Sequence, residues 1–321
     1  MKAILCSKYG TTGDLQFVEV PKPVPKEKEI LIKVYATAVN DYDWSIVRGK
    51  PYIYRLLFGI TKPKKSIPGM ELAGVVESVG SAVSLYKQGD AVYGDISNFG
   101  FGSFAEYICI NEKAVVHKPD MMSFEDAAAI PHASMLAYQA IIEKGKIKPG
   151  QKILINGAGG GVGTFGLQIS KTFNAEVTGV DTGEKLEMMR SLGFDHVIDY
   201  KKDDFTKSGN LYDLVIDTKT TRWPFAYLRS LSKNGKYVTV GGLLSCLLQV
   251  LIFKFWIGIF TKKQLYIVAL KSNRDLDYIH KQYAAGKIKP IIDGPFALSE
   301  SAAAIQYFGE AKHKGKVVIT I

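Results

Sequence analysis

Residues 152–171, KILINGAGGGVGTFGLQISK, read without a gap as strand, glycine turn and helix. Ile153, Leu154 and Ile155 make a short apolar strand of the buried kind. From Gly157 to Gly163 five of seven residues are glycine, too many for a helix interior, where each costs backbone entropy. Phe165, Leu167 and Ile169 then resume an apolar pattern, with Gln168 and Lys171 on the polar side. A glycine turn that opens a helix lets the backbone approach a pyrophosphate, whose charge sits at the helix N-terminus. The fingerprint stands as Ala158-x-Gly160-x-x-Gly163, with alanine in the first place and Gly161 and Val162 between the last two glycines.

The surroundings support a dinucleotide site. A second strand, Val177 to Val180, ends at Asp181, about 20 residues beyond the turn, where an acid meets the adenosine ribose. Apolar runs at Val197-Ile198, Leu214 to Ile216 and Tyr237 to Val240 follow, separated by helix-length segments. That alternation predicts an α/β unit, a parallel sheet with crossover helices. Residues 1 to 120 differ. Ile30 to Val34, Leu72 to Val79, Ala91 to Tyr93 and Phe104 to Ile108 read as strands bounded by Gly, Pro and charge, which predicts a compact β domain of the barrel type. Ser123 is an N-cap for a helix carrying Asp126 three residues on. Residues 289–292 and 316–321 are again strand-like and should return to the first domain, since sheet residues need partners. The expected division is 1–122 with 288–321, and 123–287.

Composition narrows the class. With 321 residues, 47% hydrophobic and 22% charged, the chain has the size of two globular domains. Cys6, Cys109 and Cys246 show no paired spacing, which excludes a disulfide framework and fits a reducing compartment, the cytoplasm by default. The net charge of +10 is spread over small lysine groups without interleaved aromatics, so no nucleic-acid partner is expected. Residues 243–260, LLSCLLQVLIFKFWIGIF, stand apart. They reach only the lower limit for a spanning helix, and a span would break the sheet on either side of them. Core packing, a roof over an apolar substrate, a homodimer contact and a membrane-surface contact with Lys262 and Lys263 remain open.

The order barrel, nucleotide domain, barrel, with GDAVYG (89–94), AAAIPHASMLAYQAI (127–141), the glycine turn and terminal GKVVITI (315–321), resembles the medium-chain dehydrogenase/reductase superfamily. It is most similar to the zinc-free quinone oxidoreductase-like branch, over essentially the whole chain. The resemblance implies a Rossmann doubly wound parallel sheet plus a GroES-like β-barrel domain. It implies NAD(P)H as cofactor and a small hydrophobic quinone or α,β-unsaturated carbonyl as acceptor. Zinc-dependent members hold the metal with a cysteine, the histidine of a Gly-His-Glu triplet and a third ligand. Here those positions read Asn40, Met70 within Gly69-Met70-Glu71, and the neighbourhood of His132. No metal is expected, because zinc needs about three protein ligands.

The resemblance places Asn40 beside the nicotinamide, where its amide could donate to a developing oxyanion. Tyr52 and His132 are the catalytic candidates for the proton, and Asp43 reads as a turn or cap residue. Cofactor candidates are Asn40, Ala158, Gly160, Gly161, Val162, Gly163, Asp181, Lys185, Tyr200, Gly241 and Lys316. Leu136 stands where relatives often carry threonine. Asp181 and Glu184 disfavour a 2′-phosphate while Lys185 favours one, so the expectation leans slightly to NAD(H). A second reading is a dinucleotide-binding protein with little catalysis, acting through a membrane surface or a protein partner.

Overall fold

The computed structural model describes residues 1–321, the side chain of Leu57 excepted. The chain forms two compact units, Met1–His132 with Ser272–Leu276 and Ile292–Ile321, and Ala133–Lys271 with Asp277–Ile291.

The second unit holds a six-stranded, all-parallel sheet. Its order is His196–Asp199, Glu176–Asp181, Lys152–Asn156, Tyr212–Asp217, Leu231–Thr239, Gln264–Ile267. This is the doubly wound order, with the strand that opens the unit in the middle and a switch point beside it. Ile153, Leu154 and Ile155 are wholly buried, as a parallel strand covered on both faces requires. Leu154, Val180, Val215, Tyr237 and Leu265 share one core with Val250 and Ile257 of the helix Leu244–Thr261.

In the first unit the long strand Glu29–Ala38 is the hub. It pairs antiparallel with Glu71–Val79, with Tyr107–Asn111 and with the C-terminal strand Lys316–Thr320. Ile292–Ala297 extends the sheet beyond Lys316–Thr320, and Ala91–Asp95 and Val116–His117 extend it on the other side. Ile30, Ile32, Val34, Leu72, Val76, Val92, Ile108 and Ile110 fill its interior. The terminal strands do return to this unit.

Three boundaries differ from the sequence expectation. Helix Phe124–Ala129 belongs to the first unit, because Phe124 stacks on Tyr35 of the hub strand at 4.6 Å. Residues 272–276 join it as well: Asn273 accepts from the Asp95 amide at 2.8 Å and donates to the carbonyls of Asp95 and Ala114. Lys289 and Pro290 are not strand. Gln168 takes both backbone groups of Lys289, proline has no N–H to offer a ladder, and the strand starts at Ile292.

Helix Leu244–Thr261 buries only a stripe, Cys246, Val250 and Ile257. Plain core packing therefore does not account for it, since Leu248, Ile252, Phe255, Trp256, Ile259 and Phe260 are exposed.

The glycine turn is sterically committed. Gly157 has φ +83°, and a Cβ on Gly163 would lie 2.4 Å from the Ala158 carbonyl oxygen and 2.5 Å from its Cα. Both obstacles are backbone and cannot swing aside. Gly163→Ala is expected to lower unfolding stability by about 1–3 kcal/mol, measured by urea denaturation. An unchanged midpoint would show that helix and turn are not packed this closely.

Candidate active site

The polar centre of the first unit is built from four chain segments. Lys316, at the start of the C-terminal strand, is buried, and its Nζ lies 2.6 Å from Glu71 Oε2 and 2.7 Å from Asn40 Oδ1. Asn40 ends the hub strand and caps the helix Asp41–Arg48. Its Nδ2 donates to Glu71 Oε2 at 2.7 Å and to the Ala38 carbonyl at 3.2 Å. Glu71 Oε1 accepts from the His132 backbone N–H at 2.5 Å. Asp43 accepts from the amides of Asn40 and Gly69, both at 2.9 Å. Burial pushes its carboxyl up to about 7, against the lowering effect of those two bonds. The turn-or-cap reading of Asp43 fits this geometry.

His132 has a carboxylate of its own. Its Nδ1 lies 2.8 Å from Oδ2 of the buried Asp95, whose other oxygen accepts from the Ser97 amide. Burial lowers the imidazole's basicity, but the bond to Asp95 and the Asp95 charge outweigh it, so the pKa is raised. Burial raises the Asp95 carboxyl in the same way, and the His132 bond and charge bring it below its ordinary value. Nε2 is the nitrogen that Asp95 does not engage. Against the imidazole stands the edge of Tyr42, with ring centroids 6.4 Å apart. Tyr54 and Phe58 pack on Tyr42 at 5.9 Å each, and Phe101 packs on Phe58 at 5.4 Å.

Three sequence expectations need correction here. Asn40 does not present a free amide to an oxyanion, because both its N–H groups and its oxygen are taken inside the protein. Lys316 does not present a free ammonium to a cofactor, because it is buried against Glu71 and Asn40. Tyr52 is exposed, with Arg55 and Lys50 over its ring, and makes no ring contact with His132. Glu71, Asp95 and Tyr42 were missed as site residues. The triplet around Glu71 was a visible signal, whereas nothing local in Ala91–Asp95 points to His132.

A catalytic zinc does not fit this donor set. The side chain of Asn40 is spent, Met70 is fully buried, and a fixed ammonium sits between Asn40 and Glu71, where it would repel a dication. Among the described residues, no three His, Cys, Asp or Glu side chains are grouped to hold a metal.

In the second unit the strand ends form the dinucleotide candidate. Helix Gly161–Lys171 starts after Gly160, and the N–H groups of its first residues have no intrahelical acceptor, so Gly161 and Val162 suit a phosphate. Ala158 is buried, with its N–H on the Val180 carbonyl. Asp181 accepts from the Gly159 amide at 2.8 Å and from the Thr182 amide at 2.8 Å. Lys185 is buried beside it, its Nζ 3.7 Å from Asp181 Oδ1 and its stem against Gly159. Tyr200 is half exposed and donates its N–H to the Asp181 carbonyl. Gly241 follows the strand Leu231–Thr239, and its N–H meets Thr239 Oγ1. A dinucleotide fits these groups.

Known proteins agree with the fold. The alcohol dehydrogenase GroES-like domain family matches residues 26–120, and a family described as zinc-binding dehydrogenase matches 192–319. The chain is 35% identical to 2-methylene-furan-3-one reductase of Solanum lycopersicum, over 99% of this chain and 79% of that protein. It is 32% identical to the chloroplast envelope quinone oxidoreductase homolog of Arabidopsis thaliana, over 99% and 98%. The solved quinone oxidoreductase from Coxiella burnetii superposes with a TM-score of 0.89 at 25% identity, over 100% and 99%. The chain belongs to the medium-chain dehydrogenase/reductase superfamily, in its quinone oxidoreductase branch.

Lys316→Met would leave Glu71 charged, buried and without its cation. The variant is expected to lose about 3–5 kcal/mol of unfolding stability, and Lys316→Met with Glu71→Gln should recover part of it. Chemical denaturation measures both, and a single variant as stable as the parent would show that the pair is not desolvated.

Proposed function

We propose that this chain reduces quinones or α,β-unsaturated carbonyls with NAD(P)H. The names of its relatives support the reading: a furanone reductase, quinone oxidoreductases and an NADPH-dependent alkenal/one oxidoreductase of Arabidopsis thaliana. When bound, NAD(P)H supplies the hydride. The acceptor's oxygen then needs a proton, and the observation that carries the mechanism is the His132–Asp95 pair against a wall of aromatic rings. Asp95 holds Nδ1, fixes the ring and favours the imidazolium, and Nε2 delivers the proton. Tyr42, Tyr54 and Phe58 offer flat apolar faces suited to a quinone or enone. Three unpaired cysteines support a reducing, cytoplasmic setting.

His132→Gln is expected to lower kcat about a hundredfold with cofactor affinity unchanged, in NAD(P)H oxidation with a quinone or enone. Because Asp95 raises the imidazole's pKa, the donor form persists above the ordinary histidine range and is lost as pH rises through the raised value. Asp95→Asn should move that alkaline limb to lower pH. A limb that stays in place would take the proton away from His132. Tyr52→Phe should leave kcat within about twofold, below the contribution of a general acid.

We propose a modest preference for NADH. It rests on Asp181, whose carboxylate would meet a 2′-phosphate with like charge; Lys185, which would favour that phosphate, is engaged with this acid at 3.7 Å. Asp181→Ser should shift the kcat/KM ratio towards NADPH by about tenfold or more, the equivalent of one charge-assisted hydrogen bond. A parent enzyme that strongly prefers NADPH would overturn the assignment.

A further inference from the structure

We propose that the outer face of helix Leu244–Thr261 is a docking surface for an anionic membrane, with the helix lying in the plane of the interface. The inner stripe, Cys246, Val250 and Ile257, is packed into the core of the second unit, so the helix cannot leave the sheet to span a bilayer. The opposite face is apolar where solvent would call for polar residues. Leu248, Ile252, Phe255, Trp256, Ile259 and Phe260 are each half or more exposed, at helical spacing that keeps them on one side. Phe255 and Phe260 flank Trp256, with centroids 5.9 and 6.3 Å away. The patch continues onto the neighbouring short helix, where the exposed Trp223 and Phe225 pack on Phe253 at 5.2 and 5.5 Å. An exposed apolar patch of this extent marks an interaction site.

Charge selects the occupant. Between Asp217 and Asp275 the sequence has no acidic residue and ten lysines or arginines. Lys254, one turn from the buried Val250 and Ile257, stands at the border of the apolar face, and with Lys262 it lines a shallow groove that also includes Phe255, Asn234 and Gln264. Apolar rings with ammonium groups among them match an anionic lipid surface: rings enter the acyl boundary and lysines reach phosphate and carboxylate headgroups. A second copy of the chain is disfavoured, because each carries a net charge of +10 and pairing these faces would bring like charges together.

The test is vesicle flotation of the full chain with phosphatidylcholine alone and with phosphatidylcholine–phosphatidylserine. Tryptophan emission reports burial of Trp256 and Trp223. Binding to the anionic vesicles, weakened by salt and accompanied by a blue shift, is expected. Lys254→Glu with Lys262→Glu, and separately Phe255→Ser with Phe260→Ser, should each reduce partitioning about tenfold or more. Both variants should keep the parent's melting temperature and its turnover of a soluble quinone, which shows that they are folded. Absence of binding to anionic vesicles would overturn the proposal, as would binding undiminished in both variants. A dimer in sedimentation velocity that Phe255→Ser/Phe260→Ser disperses, without vesicle binding, would assign the face to a second copy and overturn it too.

Discussion

A buried ammonium has to find its counter-charge, and in the first unit Lys316 sets the arrangement of everything around it. Its Nζ draws together Asn40, just beyond the end of the hub strand, and Glu71, at the start of the strand paired beside it. Glu71 then has one oxygen left, and that oxygen fixes the His132 backbone N–H. Once the start of the helix Pro131–Tyr138 is placed, the His132 ring reaches Asp95. Each step constrains the next, so the His132–Asp95 pair is held in place by a chain of buried polar groups. The low dielectric that makes an unpaired member costly also makes the satisfied network stiff. The same network accounts for the chain's distance from its zinc-dependent relatives. The Lys316 ammonium engages Asn40, one of the positions at which zinc-dependent members carry a ligand, and would repel a dication beside it.

The second unit relies on close approach rather than charge. Backbone atoms of Ala158 fill the space where a Cβ on Gly163 would stand, which brings the turn down onto the helix. Asp181 contributes to the turn's shape as well as its charge, because it accepts the Gly159 amide. Strands that end side by side at Asp181, Asn156, Asp217 and Thr239 supply the rest through parallel pairing alone.

Helix Leu244–Thr261 departs from the economy of both units. A helix apolar on all sides belongs inside a protein, yet this one gives only a stripe to the core and leaves its aromatics outside. The sheet needs just that stripe to cover Leu265 and its neighbours. Demands on the remaining surface come from outside the fold, and the one-sided charge of residues 218–274 points the same way.

Residues 152–171 and the apolar runs that follow them determined the glycine turn and the parallel sheet, because glycine sterics and periodicity are local properties of a chain. The returning terminal strands were legible for the same reason, whereas the altered ligand positions at Asn40 and Met70 were legible only through the resemblance to the family. Asn40 and Lys316 were recognised as site residues, but their partners were not, and their roles changed accordingly. Whether an amide is free to donate depends on what lies within 3 Å of it, and those neighbours come from Glu71 and Lys316, far along the chain. His132 was a lone histidine in sequence. Tertiary structure made it a pair by folding the end of Ala91–Asp95 against it, and set Tyr42 at its edge in place of Tyr52. Hydrogen bonding and burial act through space, so only the folded chain could decide which polar groups are spent and which remain to do chemistry.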